Sequence, residues 1–365
     1  MNIIWEKWVV AAMMVCSLLC SSLFCLKLGD DTLMFLGEVR AIADGERYET
    51  ETSQGADAEK TETKPPDSTH TASVDVVSTP LPDYEKQESA VSSSVSSALP
   101  AAADGKKLGN ILPQFFSPYT TANVKSGKLY VNNRTGLDID IAALKKSFSL
   151  KLEEGSKPQV LIVHTHATEN YASRDTYYTK SDMARTGEES RNVIGVGNQV
   201  EKVLRKAGIG VIHDKTLHDS PSYSGSYNRS YNTVEKYLKK YPSIRVVLDI
   251  HRDAIGEGDD LIKPVVEIKG KQAAQVMVCV GSNTGSVDYY PDWEKNLSFG
   301  LSLQENLETL YPGLARALFL AYDRCWNQNL STGSIIIEFG TNGNTFAEAK
   351  YSASLVGNAL VATLR

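Results

Sequence analysis

The sequence predicts an α/β fold built on a mainly parallel sheet with helices on both faces. Three observations predict it. Apolar runs of strand length alternate with stretches of helical periodicity from residue 108 onward. The apolar runs are hydrophobic at consecutive positions, which is typical of strands covered on both faces. Gly, Pro and Asn residues mark several boundaries between the two kinds of segment.

In the first half of this domain, the sequence pattern predicts strands and helices in strict alternation. VLIV at 160–163 is a buried strand, and the following stretch NVIGVGNQVEKVLRKAG places its valines on one helical face before a stop at Gly208. GVIHD, SYNTVEKYLKKYP and IRVVLDIHRD then repeat the order strand, helix, strand. Consecutive units of this kind place parallel strands side by side.

The second half is more varied. PVVEIKG and AQVMVCVGSN predict an adjacent pair of strands with a hairpin through Gly270. NLSFGLSLQENLETLYPGLARAL predicts one or two helices broken at Pro312. SIIIEFGTNGN predicts a last strand with a Gly- and Asn-rich turn, and TFAEAKYSASLVGNALVATL predicts the closing helix.

The amino-terminal third predicts a membrane anchor and a tether. Residues 8–26 carry no charge over about the length that a helix needs to cross a bilayer. Lys7 precedes this run, so we expect residues 1–28 to form a cytoplasmic tip and a retained single-pass transmembrane helix in the cell membrane, with the rest extracytoplasmic. Residues 29–107 are acidic and rich in Ser, Thr, Ala and Pro, which predicts a disordered tether before the folded domain 108–365.

The charge and the cysteines exclude two classes of protein. The formal net charge of −6 offers no basic footprint, so we expect no nucleic acid as a partner. Three of the five cysteines lie inside the apolar amino-terminal segment, which does not fit a disulfide framework.

Polar side chains follow three predicted strands at their carboxyl ends. VLIV runs into HTHATE, VVLDI runs into His251, and SIII runs into Glu338. In parallel sheets these ends share one edge, where active sites gather. Zinc in hydrolases is commonly held by two His and one Glu, which predicts His166, Glu169 and His251 as ligands and leaves Glu338 to move a proton.

Each of these residues also has an ordinary interpretation. The HxxE spacing alone is a weak signal, and His164 is expected to share a strand face with His166, so that one histidine orients the other. His251 and Glu338, taken singly, fit hydrogen-bonded structural roles. His213 and His218 lie between elements and are reserve candidates for substrate contact. The tyrosine-rich segment 222–232 is either a sugar or peptide contact or a loop docked by aromatic packing.

Five motifs together resemble the stage II sporulation protein P family of endospore-forming bacteria: HTHATENY, SRNVIGVGNQV, VVLDIHRDA, VGSN with DWEKNLSFGLSLQENLETLYPGL, and GSIIIEFGTNGNT. The resemblance implies an amidase-3-like fold, which is a twisted, mostly parallel but mixed six-stranded sheet with helices on both faces. It further implies a zinc-dependent N-acetylmuramoyl-L-alanine amidase with an associated endopeptidase activity. It also implies peptidoglycan as substrate, action between the mother-cell and forespore membranes during engulfment, and stage II sporulation proteins D and M as partners.

The resemblance also carries over residue roles. The family motifs fall on His164, His166, Glu169 and His251, and the catalytic glutamate falls on Glu338. A more distant similarity to zinc carboxypeptidases favours His166 as the ligand and His164 as an orienting residue of the catalytic group. In amidase-3 enzymes the ligand glutamate begins a helix, which leaves two alternatives to Glu169, namely Glu188 and Glu189.

The sequence leaves the roles of several polar residues, and two alternative functions, open. Arg252, or Arg191 with Asn192, would bind an oxyanion or a peptide carboxylate, or each arginine forms a structural ion pair. Asn342 and Asn344 are expected to shape a turn. The alternative functions are a zinc endopeptidase or carboxypeptidase acting on the stem peptide, and a non-catalytic peptidoglycan-binding scaffold.

Overall fold

The structure is a computed structural model that describes residues 106–284 and 290–365. The predicted anchor, and the predicted tether up to residue 105, lie outside these residues. The first described element begins at Lys107. Within the described ranges, no helix is both long and apolar enough to cross a membrane.

The described residues form thirteen strands, seven α-helices and one 3-10 helix at Gln328–Leu330. The strands are β1 (Lys107–Gln114), β2 (Val124–Ser126), β3 (Leu129–Asn133), β4 (Gly155–Val163), β5 (Tyr177–Thr179), β6 (Ile209–His213), β7 (Val246–Asp253), β8 (Gly256–Glu257), β9 (Asp260–Ile268), β10 (Lys271–Ala274), β11 (Val276–Val280), β12 (Leu318–Leu320) and β13 (Ser334–Thr341). The helices are α1 (Pro118–Thr121), α2 (Ile141–Lys146), α3 (Lys180–Met183), α4 (Val193–Lys206), α5 (Ser226–Lys240), α6 (Trp293–Leu310) and α7 (Phe346–Leu364).

The main sheet has eight strands in the order β2-β3-β12-β11-β13-β7-β4-β6. Strands β13, β7, β4 and β6 are mutually parallel, as the alternation of strands and helices predicts. Strand β11 runs antiparallel to β13, and β2 runs antiparallel to β3. The mixed α/β class is therefore confirmed, whereas the count of six strands is wrong because β2 and β3 extend one edge.

A second, smaller sheet has the order β10-β9-β1-β5, with β8 paired to β9. The predicted hairpin is present between β9 and β10, and Gly270 in its turn has a φ of 75°. The expectation that AQVMVCV is the strand paired with PVVEI is wrong, since β10 takes that place and β11 lies in the main sheet between β12 and β13. The five consecutive buried residues of β11 fit a strand that is covered on both faces.

The segment after Pro312 is a strand and not a second helix. Helix α6 ends at Leu310, and Leu318–Leu320 then form β12 between β3 and β11. All three residues of β12 are buried. A short apolar run of this kind does not distinguish strand from helix by periodicity alone, and pairing on both sides decides it here.

Helices cover both faces of the main sheet. Val160 and Ile162 of β4 lie in the large core that contains the apolar residues of α4, α6 and α7. Leu161 and Val163, which alternate with them, pack with Val234 of α5 on the opposite face. We call the side of the sheet that α4 covers the α4 face, and the opposite side the α5 face. Because side chains of a strand alternate between the two faces, the residues of β7 and β13 can be assigned in the same way.

Candidate active site

A cavity opens on the α5 face of the main sheet, at the carboxyl ends of β4, β7 and β13. It encloses about 680 Å³, part of which is open to solvent. Its lining contains most of the predicted site residues together with aromatic and apolar side chains: His166, Glu169, Arg185, Tyr223, Tyr227, His251, Arg252, Asp253, Ala254, Cys279, Trp326, Ile336 and Glu338.

Strand register brings His251 and Glu338 together. The two residues are paired neighbours in the parallel ladder of β7 and β13. Ile250 and Ile337, which precede them, belong to the core on the α4 face, so the next residue of each strand points toward α5. Both side chains are buried. In both β7 and β13, the polar residue that follows the apolar run therefore lies in the cavity.

Glu169 reaches the same place from the turn after β4. Its Oε2 lies 3.5 Å from Nδ1 of His251 and accepts a 3.1 Å hydrogen bond from the main-chain N–H of Arg252. Burial alone would raise the pKa of Glu169, but the hydrogen bond and charge of His251 and the nearby charge of Arg252 hold it well below its usual range. The Glu169 carboxylate is thus kept ionised against His251.

His166 completes the group from a different direction. Its ring lies edge-on to the ring of His251, with centroids 5.2 Å apart. Tyr223 stacks on the His166 ring and places its hydroxyl 3.1 Å from Nε2, while the Ser226 hydroxyl lies 3.3 Å from Nδ1. Burial lowers the pKa of His166 to about 4, so its imidazole is neutral, which is the form that binds metals.

Asp249 supports His251 from behind. Its Oδ1 lies 2.9 Å from Nε2 of His251, close enough for an ion pair although the angle is outside hydrogen-bond geometry. Thr165 fixes this carboxylate with its main-chain N–H at 2.9 Å and its hydroxyl at 2.6 Å. Burial opposes the charge on His251, but Asp249 and Glu169 raise its pKa well above the ordinary value. A carboxylate behind a histidine is the usual support of a metal ligand.

Asp249 is a site residue that was not predicted from the sequence, although a signal for it is present. Asp249 and His251 are two residues apart on one strand and therefore share a face. The carboxylate of Asp249 is the one charged group in the otherwise apolar run VVLDI. Four further residues of the cavity lining were also not predicted individually, because they come from segments far from the three strand ends. They are Arg185, Tyr223, Tyr227 and Trp326.

Glu338 carries a buried atom without a partner. Among the described residues, no hydrogen-bond partner exists for its Oε2. Burial raises the pKa of Glu338 to about 8, with a smaller contribution from the negative charges of Asp253 and Glu169. A buried carboxyl group with an unsatisfied oxygen destabilises the fold, which is typical of a group kept for chemistry.

This pKa predicts a pH-dependent stability of the metal-free protein. Between the ordinary carboxyl pKa of 4.5 and about 8, the unfolded chain ionises Glu338 while the folded protein keeps its proton, so stability falls as pH rises. We expect Glu338→Gln to be more stable than the parent by at most about 3 kcal/mol at pH 7, with no difference below pH 4.5. Urea unfolding in the presence of a chelator at both pH values measures this gain. An equal difference at both values would contradict it, and Glu305→Gln, at an exposed glutamate, is the control.

His164 lies elsewhere, which corrects the expectation that it orients His166. Strand β4 ends at Val163, so the chain turns before His166, and the two histidines do not share a strand face. The His164 side chain is completely buried on the α4 face. Its Nδ1 lies 2.9 Å from the Ile250 carbonyl oxygen and its Nε2 lies 2.8 Å from Nε2 of His213.

The pairing of His164 with His213 depends on a glycine in α4. A Cβ atom at Gly197 would lie 2.8 Å from Nε2 of His213 and 2.9 Å from Nε2 of His164. We expect Gly197→Ala to destabilise the fold by about 1–3 kcal/mol, because both rings are held by hydrogen bonds. Urea denaturation measures this. Gly187→Ala is the matched control, because its Cβ would meet only a leucine methyl at 3.4 Å, and an equal loss in both variants would contradict the explanation.

The two alternative glutamates lie outside the cavity lining. The Glu188 side chain is 65% exposed and is 3.9 Å from Arg191. The Glu189 carboxylate accepts hydrogen bonds from Asn198 and Lys215 and is 43% exposed. Of the three glutamates considered as ligands, only Glu169 lies beside His251.

The remaining predicted residues have structural partners. His213 bridges His164 and Glu201, and His218 lies between the His164 carbonyl oxygen and the Thr233 hydroxyl. Arg191 faces Glu188, as an ion-pair role predicts. Three asparagines complete the list: Asn192 caps α4, Asn344 ties the turn after β13 to Pro264 and Glu348, and Asn342 donates its main-chain N–H to Asp253.

The donor set suits zinc, but its three ligands are not yet assembled. Two ligands of one tetrahedral zinc lie roughly 3.3 Å apart, and the His251 Nδ1 to Glu169 Oε2 distance is 3.5 Å. The two ring nitrogens of His166 instead contact the hydroxyl groups of Tyr223 and Ser226. In residues 106–284 and 290–365, no group of three or more His, Cys, Asp or Glu side chains is arranged to hold a metal ion. Zinc binding would therefore require His166 to exchange a hydroxyl contact for the metal.

Known proteins resemble this chain in sequence. The sequence profile of the stage II sporulation protein P family matches residues 35–361. A curated relative, stage II sporulation protein P of Bacillus subtilis (strain 168), is 30% identical over 214 residues, which cover 56% of this chain and 50% of that protein. The chain thus spans about half the length of this relative.

Several solved structures also resemble it. The CwlD amidase of Clostridioides difficile, in complex with the GerS lipoprotein, is 12% identical with a TM-score of 0.36, covering 56% of this chain and 95% of that chain. N-acetylmuramoyl-L-alanine amidase AmiC2 of Nostoc punctiforme is 10% identical with a TM-score of 0.35, covering 57% and 96%. Likenesses of this size do not assign an activity.

Proposed function

The chain belongs to the stage II sporulation protein P family, and on this premise we propose that it is a zinc-dependent N-acetylmuramoyl-L-alanine amidase. Its substrate is peptidoglycan, and the bond cleaved is the amide between muramic acid and L-alanine. The observation that carries the proposal is the meeting of His166, Glu169, His251 and the unpartnered Glu338 carboxyl group in one open cavity.

Each of these residues has a distinct role in the proposed reaction. His166, Glu169 and His251 would hold the zinc, with Asp249 keeping the His251 ring in place. When bound, zinc activates water and polarises the amide carbonyl. Glu338 takes a proton from the attacking water and delivers it to the leaving nitrogen, which needs a carboxyl pKa near the working pH. No side chain of the protein needs to form a covalent bond to the substrate.

Aromatic side chains make the cavity suitable for a sugar–peptide junction. Tyr223, Tyr227 and Trp326 line it beside the polar centre. Trp326 is buried and Tyr227 is partly buried, whereas Tyr223 is 39% exposed at the mouth. Apolar faces of sugar rings and the methyl group of an alanine both pack on such surfaces.

The same family membership supports a proposal for the setting. We propose that residues 8–26 anchor the protein in the cell membrane and that residues 29–107 let the catalytic domain reach the wall between the mother-cell and forespore membranes during engulfment. Stage II sporulation proteins D and M are the proposed partners.

The test uses the purified chain, loaded with zinc and incubated with isolated sacculi. Mass spectrometry of the released products identifies the cleaved bond. Free stem peptides that begin with L-alanine support the amidase. Products cut within the stem peptide would instead identify the endopeptidase alternative, and the absence of any product from a zinc-loaded sample would leave the scaffold alternative.

A further inference from the structure

We propose that Arg252 is a binding site for a carboxylate of the substrate, and that it selects stem peptides with a free α-carboxylate at the second residue. This inference rests on the proposed function, because it assigns a part of the substrate to the same cavity. It concerns recognition of the peptide and leaves the metal and the proton transfer unchanged.

Arg252 is held in place by neutral groups. Its Nε donates to the Asn170 carbonyl oxygen at 3.0 Å, and its Nη1 lies 3.4 Å from the carbonyl oxygen of Asp253. These contacts involve one edge of the guanidinium group and fix its plane. Among the residues that the structure describes, Nη2 has no hydrogen-bond acceptor and no carboxylate lies within 4.0 Å of the group.

The other arginines of this region are already neutralised. Arg185 lines the cavity, but its Nη1 is 2.7 Å from the buried carboxylate of Asp219. Arg316 lies beneath the cavity with its Nη2 2.7 Å from Asp253. This second pair also explains why Asp253, although adjacent to Arg252 in sequence, does not compensate its charge. Arg252 is thus a partly buried, permanently charged group of the cavity lining that forms no ion pair within 4.0 Å among the described residues, and its charge contributes to the low pKa of Glu169.

A positive charge without an ion pair in this position favours an anionic ligand in the cavity. Removing a guanidinium group from water is costly unless the charge is paired, and a carboxylate is the partner that its fork of N–H groups matches. Arg252 lines the cavity, and its Nε donates to the carbonyl oxygen of Asn170, the residue that follows Glu169, so the guanidinium group lies near the proposed metal site. A bound carboxylate would therefore belong to a part of the substrate very close to the cleaved amide.

The chemistry of peptidoglycan supplies one such group. The second residue of the stem peptide is a D-glutamate joined onward through its side-chain carboxyl group, so its α-carboxylate is free. In some walls that carboxylate is converted to a carboxamide, which has no charge. We therefore infer that the D-isoglutamate form is preferred over the D-isoglutamine form, and that the preference depends on Arg252.

The experiment compares two synthetic substrates, muramoyl-L-Ala-D-isoglutamate and muramoyl-L-Ala-D-isoglutamine, on the full zinc-loaded chain. We expect the parent to cleave the acid with a kcat/KM about 10- to 100-fold higher, the loss expected for one charge-assisted pair. Arg252→Gln should cleave both substrates equally, at the parent's rate for the amide. Arg252→Lys should keep part of the preference. Arg191→Gln, at an exposed arginine outside the cavity, should behave as the parent.

A second measurement separates this proposal from the proposed function. Binding of the dipeptides L-Ala-D-isoglutamate and L-Ala-D-isoglutamine is measured by calorimetry, which needs no catalysis. Preferential binding of the acid by the parent, and its loss in Arg252→Gln, would support the Arg252 site even if neither substrate is cleaved. Equal binding of both dipeptides by the parent, no binding of either, or a preference that survives in Arg252→Gln would overturn it.

Discussion

Glu338→Gln is expected to reduce the release of stem peptides from sacculi by about 100- to 10,000-fold, the contribution of a positioned general acid and base. The amide keeps the shape of the side chain and cannot exchange a proton. Because Glu338 is buried and its Oε2 has no partner among the described residues, little else in the fold depends on its carboxyl group. The loss should therefore appear in kcat, and the variant should fold at least as stably as the parent.

Zinc content distinguishes this role from a structural one. Glu338→Gln should bind zinc with the parent's stoichiometry, measured by elemental analysis after dialysis. Glu305→Gln, at an exposed glutamate paired with Lys145, provides the matched control for activity. A Glu338→Gln variant that digests sacculi at the parent's rate would remove the proposed proton transfer.

His251→Ala is expected to abolish stoichiometric zinc binding. The substitution removes one of three proposed ligands and leaves Glu169 and Asp249 as buried carboxylates without their common partner. The affinity should fall by more than the roughly 10- to 100-fold that loss of a supporting residue causes. Competition with a chromogenic chelator measures the dissociation constant directly.

Asp249→Asn is expected to cause a smaller loss of zinc affinity than His251→Ala. It keeps His251 but removes the charge behind it, so the zinc affinity should fall by about 10- to 100-fold and no further. His164→Gln, on the other face of the sheet, should leave the zinc affinity close to the parent's. If His164→Gln and His251→Ala lose zinc equally, the assignment of the site to the α5 face is wrong.

Local patterns in the sequence predicted much of the fold. The valines of α4, the strand–helix–strand unit from β6 to β7, and the last strand with its closing helix all form as predicted. Periodicity of side chains is a property of neighbouring residues, so it survives any tertiary context. The short strand β12 was not predicted, and a second helix was allowed after Pro312, because three apolar residues carry no period.

The site was predicted less completely. The convergence of Glu169, His251 and Glu338 followed from three strand ends on one edge of a parallel sheet. The position of His164 did not follow, since the expectation extended β4 beyond Val163. Tyr223 and Ser226 reach His166 from a segment some 60 residues further along the chain, and no local pattern links them.

The sequence by itself determined which segments form strands and helices, and which strands end in groups able to bind metal or move protons. These properties reside in runs of adjacent residues. Only the tertiary structure decided on which face of the sheet each histidine lies, which carboxylate supports His251, and which arginine of the cavity forms no ion pair. The physical reason is that burial and pairing depend on groups brought together from distant parts of the chain, and a single turn after β4 is enough to separate His164 from His166.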